Sequence, residues 1–198
     1  MLIPPLESLN KYFPSLARMV AETSWLPHPD TVSALGRAAF PTSRARRLHP
    51  RFSEISKNGA PIGMYDDNMT PRWAILWAHG IIGGKSKGWA FAHVWPVSDD
   101  VNSYTHLANL AMVPECFASL TDKQGPLAVF LRWHSWSVYG WKPTSEQDPE
   151  KPENYEQISW RYLDKFDDPR GFIRRRVLQL KNKRVVTLRS IMERLGML

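Results

Sequence analysis

A single cysteine, Cys116, stands in the 198 residues of the chain. Without a second thiol there is no intramolecular disulfide, and no cysteine knuckle to hold zinc. A reducing compartment, most simply the cytoplasm, is therefore expected. Long apolar runs are also missing: none approaches the about eighteen residues that a membrane span needs. The opening "MLIPPLESLNKYFP" lacks the basic start and long apolar stretch of a secretory leader. There is no internal repeat and no low-complexity tract.

What the chain has in plenty is tryptophan and positive charge. Nine tryptophans supply large surfaces for a core, and some could stack on bases. Hydrophobic residues make up 43% and charged residues 23%, a globular composition that excludes wholesale disorder. The net charge of +7 and an isoelectric point near 9.7 favour polyanions, of which nucleic acid is the commonest.

Three regions follow from patterning. Residues 1–50 read as a helical region: Leu6, Leu9, Phe13, Leu16 and Val20 fall at helical spacing, with Pro14 as a boundary or kink. A second helix over "HPDTVSALGRAAF" is capped by Asp30 or Thr31, and the arginine-rich "PTSRARRLHPR" is a loop or helix edge. Residues 51–143 form the dense core region, with seven of the nine tryptophans. There "PRWAILWAHGI" and "GWAFAHVWP" predict two strands, or a helix and then a strand, about the turn "IGGKSKG". "PLAVFLRWHSWSVYGW" predicts a buried helix ending near Gly140, with His134 packed beside Trp133 and Trp136. Residues 144–198 are an acidic loop followed by a basic helical extension. Residues 144–168 hold eight acids against three bases, with a short helix expected in "NYEQISWRYLDKF". Residues 169–198 reverse the sign, with nine Lys or Arg and one Glu. There Val177, Leu180, Val185, Leu188, Ile191 and Leu195 are available to pack a helix or two.

The chemistry concentrates in "FAHVWPVSDDVNSYTHLANLAMVPE", residues 91–115. Trp89–Trp95 predicts one strand, 96–108 a loop and Leu110–Val113 a second strand. Pro114 and Glu115 then open a helix at "ECFASL". "AHVWP", with His93 and Pro96, and "NLAMVP", with Asn109 and Leu110 sixteen residues on, resemble the ββα-metal finger of HNH-type endonucleases. The likeness covers some thirty residues. It implies an α+β fold, a mainly helical body around a small antiparallel sheet containing the finger. It implies His93 as the general base and Asn109 as the residue that braces the loop and orients it. It also implies a bound Mg²⁺ or Mn²⁺. Two of the family's ligand positions depart from the pattern: Ala92 stands at the first, and Phe117 and Ala118 at the one on the helix. Asp122 is the nearest carboxylate and the candidate metal ligand, with Asp99, Asp100, His106 and "YDDN" (Asp66, Asp67, Asn68) as further sources.

Phosphate contacts are expected from Arg174, Arg175, Arg176, Lys181, Lys183 and Arg184, from a second arm of Arg44, Arg46 and Arg47, and from Lys85 and Lys87 in the glycine-rich turn. The competing reading is that the basic block pairs with the acidic stretch beside it. The leading expectation is a metal-dependent DNA endonuclease of restriction or phage-defence type, acting as a homodimer on a symmetric site. Two alternatives stand beside it: a nucleic-acid binder, of DNA or RNA, that keeps the finger without cutting, and a protein-interaction module with an acidic partner.

Overall fold

The structure is a computed structural model that describes residues 11–45, 49–83, 87–122 and 124–198. Its described residues form an α+β fold of seven α-helices and two small sheets. The N-terminal region gives α1 (Phe13–Thr23) and α2 (Pro29–Leu35). Pro14 sits in the first turn of α1, where its missing N–H costs nothing. The cap of α2 is His28, not Asp30 or Thr31: its Nδ1 accepts from Asp30 N, 3.1 Å away. The left-handed Gly36 ends that helix.

The arginine-rich stretch is not loop throughout. It opens with a strand, β1 (Thr42–Arg44), which pairs parallel with β3 (Ala60–Asp66), while β2 (Glu54–Lys57) pairs antiparallel on the other side of β3. This three-stranded sheet is therefore mixed. Gly63 in β3 lies against this crossing: a Cβ there would come within 2.6 Å of the Pro41 carbonyl. The next apolar run is helical, α3 (Met69–Ala78). Asp66 starts it by accepting from Thr70 N at 2.7 Å and Thr70 Oγ1 at 2.9 Å.

A second sheet pairs β4 (Trp89–His93) with β5 (Leu110–Pro114), from Trp89 opposite Pro114 to His93 opposite Leu110. Trp25 exchanges two backbone hydrogen bonds with Met112, extending the ribbon on its far edge. A 3₁₀ turn at Glu115–Phe117 leads into a one-turn helix, α4 (Ala118–Thr121). Then come α5 (Ala128–Tyr139), stopped by the left-handed Gly140, and the C-terminal pair α6 (Pro169–Gln179) and α7 (Lys183–Arg194). The helix expected in "NYEQISWRYLDKF" is only a 3₁₀ turn, Tyr155–Gln157. Beyond it the chain is drawn out, because Leu26 and Tyr162 pair as a parallel bridge.

The main core draws on every region. Phe40, Met64, Ile75, Leu107, Leu110, Val177, Val185, Leu188 and Ile191 pack into one cluster. Leu180 is half-buried and Leu195 is exposed. The C-terminal helices are locked by Arg189, whose guanidinium donates to the carbonyls of Val177, Leu178 and Leu180 where α6 runs out of its own donors. No helix among the described residues is long and apolar enough to cross a membrane.

Candidate active site

The loop between β4 and β5 is held from inside by Asn109. This side chain is fully buried, and each end of its amide is used. Oδ1 accepts from Trp95 N at 2.8 Å, and Nδ2 donates to the Ser103 carbonyl at 2.9 Å. The backbone adds Val94 N to the Asn109 carbonyl at 3.0 Å. These bonds replace the ladder beyond His93, so the strand stops there rather than at Trp95.

The same bracing delivers a carbonyl to His93. Nε2 lies 3.1 Å from the Tyr104 carbonyl oxygen, one residue past the Ser103 anchor. A carbonyl can only accept, so in the neutral imidazole Nε2 carries the proton and Nδ1 the lone pair. The ring also stacks on Tyr104, centroids 4.9 Å apart and planes inclined by 13°. Burial, with Asp66 nearby as a lesser cause, pushes the Tyr104 phenol well above its ordinary range and keeps it a donor.

His93 is half-buried and lines a cleft of about 330 Å³. Arg44 at the end of β1, Asn68 ahead of α3, Ser119 in α4 and Asp122 at the end of α4 line it too. Helix α4 returns Asp122 to the ribbon as a carboxylate one turn beyond Ala118, the position where the helix ligand is expected. Four separately predicted residues, His93, Asp122, Arg44 and Asn68, thus share one hollow, while Asn109 acts on it through the loop. Hollows of about 530 and 470 Å³ lie elsewhere, but no histidine lines either.

Of the other proposed ligands, Asn68 lines the cleft, while Asp100 and His106 do not. Asp100 folds back onto its own loop, accepting from Asn102 N and from the Ser103 hydroxyl. His106 is buried against Trp141, ring planes 8° apart, with its Nδ1 accepting from Ala108 N. Burial drops its pKa to about 4. Among the described residues no three His, Cys, Asp or Glu side chains come together. The cleft offers one carboxylate. One carboxylate could supply a single hard oxygen ligand to an ion such as Mg²⁺ or Mn²⁺ and could not cage it.

The cations divide. Arg44, Lys87, Arg174, Lys181 and Lys183 are exposed. Arg175 is exposed but pairs with Asp168 at 3.1 Å, and Arg176 lies 5.5 Å over the Trp77 ring and bonds Gln179. Arg184 is not a surface cation. Its Nε is 3.1 Å from Asp66 Oδ1, its Nη2 bonds Asp67, and its guanidinium sits over Phe52 and Trp73. Arg46, Arg47 and Lys85 lie outside the described residues. His134 is a packing residue as expected, but its partners are Tyr155 and Tyr162, whose hydroxyls lie 2.7 and 3.1 Å from its two nitrogens.

Two site residues escape sequence reasoning. Ser119 carries no pattern that marks it, and Tyr104 looks like one more aromatic in a polar loop. Nothing in the sequence marks Tyr104. No family model, curated protein or solved structure matches the chain.

Proposed function

We propose that the chain is a metal-dependent endonuclease that hydrolyses DNA phosphodiester bonds in the His93 cleft. One observation carries the reading: an imidazole oriented by a backbone carbonyl opens onto the same hollow as a carboxylate and an arginine. In this scheme His93 takes the proton of the attacking water at Nδ1, its ring oriented by the Tyr104 carbonyl at Nε2. Arg44 grips the scissile phosphate, a task its planar fork suits. Asp122 would hold the metal ion, which when bound supplies charge stabilisation at the leaving oxygen. Asn109 keeps the loop closed so that the base does not drift. Lys87, Arg174, Lys181 and Lys183 hold the flanking backbone. A symmetric site would call for two copies of the chain, and restriction or defence against phage is the role such an activity serves.

A second reading is favoured by one specific feature. Ala92 and Ala118 offer no ligand atom where the ββα-metal finger has them, which fits a protein that binds nucleic acid without cutting it. Supercoiled plasmid separates the two. The nuclease reading predicts relaxed circles with Mg²⁺ or Mn²⁺ and none with a chelator. The binding reading predicts gel shifts that weaken with salt and no relaxation with either metal.

A further inference from the structure

Tyr104, itself buried, touches lining residues on both walls of the cleft. On one side its carbonyl takes His93 Nε2 and its ring lies flat on the imidazole. On the other its hydroxyl donates to Asn68 Oδ1 at 2.7 Å. Asn68 lines the cleft from the turn between β3 and α3, in the left-handed region at φ +73°. That turn is itself fixed, by Asp66 on Thr70 and by Arg184 on Asp66 and Asp67. A chain of contacts thus runs from α7 through the turn and one phenol to the imidazole.

Packing alone does not need the hydroxyl. Tyr104 is fully buried, and phenylalanine would fill the same space without a polar group to satisfy. The hydroxyl instead joins the His93 side of the cleft to the Asn68 side. We propose that Tyr104 is a positioning residue: its side chain, clamped between Asn68 and the imidazole, holds the His93 ring in the orientation in which Nε2–H meets the Tyr104 carbonyl. With the clamp released, the ring and the loop that carries its carbonyl can shift, and a base displaced by a fraction of an ångström loses rate steeply. This inference rests on the reading of the cleft as a hydrolytic site.

The test uses the full chain with Tyr104→Phe, which keeps ring and carbonyl, and Asn68→Gly, which removes the acceptor while tolerating the left-handed backbone. Long-range ¹⁵N–¹H NMR of the imidazoles, with the His93 signal assigned by its loss in His93→Ala, reads the tautomer without any catalysis. Plasmid relaxation, scaled to the folded fraction from circular dichroism, reads the rate. The expected result is one Nε2–H tautomer in the parent and mixed tautomers in each variant. In each, kcat falls roughly 5- to 20-fold with KM unchanged, and the double variant is no worse than the poorer single one. An unchanged tautomer in Tyr104→Phe overturns the proposal, as does a rate loss that disappears on scaling to the folded fraction. A parent that relaxes no plasmid while the variants still lose the tautomer sinks the hydrolytic reading and leaves the positioning role standing.

Discussion

Arg184 and Asp66 face each other inside the protein, Nε to Oδ1 at 3.1 Å, with the carboxylate side chain fully out of solvent. The arginine comes from a basic helix and the aspartate from the end of β3, 118 positions apart in the chain. Removing one partner of such a pair strands the other charge. Arg184→Ala is therefore expected to cost about 3–5 kcal/mol of stability, read by urea unfolding. DNA affinity per folded molecule should hardly change. A variant with full stability and weakened DNA binding would return Arg184 to the surface set.

Acid should destabilise the protein before its carboxylates titrate. Burial drops both His106 and His134 from 6.5 to about 4, and burial lowers His79 as well. A folded pKa below the unfolded one means that the unfolded chain binds more protons. The stability tied to these two imidazoles is complete above pH 6.5 and is lost as pH falls toward 4, up to roughly 3 kcal/mol for each. Melting temperature should fall steadily across that window, and less so in His134→Gln. A flat profile from pH 7 to about 4 would show that these rings are open to water.

Asn109 is expected to matter twice. Asn109→Asp keeps an acceptor for Trp95 N but loses the donor to Ser103 and buries a charge. A loss of about 2 kcal/mol or more is expected by calorimetry, together with loss of cleavage even at temperatures where the variant stays folded. Asn109→Asp with parental activity would show that the loop needs no brace.

The β4–β5 strand pair was legible because its parts are local. Two apolar runs flank a polar loop, and a strand pair joined by one loop needs no distant partner. The bracing asparagine was an expectation of the resemblance, and its side chain makes two bonds across the loop. What stayed hidden is non-local. Strand β1 is three residues, Thr-Ser-Arg, with no apolar alternation, and it exists because β3 lies beside it. Residues 158–163 lost a helix to Leu26, more than a hundred residues away. The acidic and basic blocks meet at Asp168 and Arg175, but Asp148 pairs with Lys142 and Glu156 with Lys151. Arg184 looked like its neighbours because nothing in a run of cations marks the one that faces a buried carboxylate. Tyr104 could not be singled out, since its value lies in touching His93 and Asn68 at once.

The central claim is that the imidazole of His93 serves as the base. The most direct measurement is the single-turnover rate of plasmid nicking at saturating Mg²⁺ or Mn²⁺, for the parent chain and for His93→Ala. Positioned general bases contribute about 10²–10⁴-fold. The account predicts a loss in that range, with DNA affinity kept and the melting temperature near that of the parent. Nicking by His93→Ala at the parental rate would contradict it.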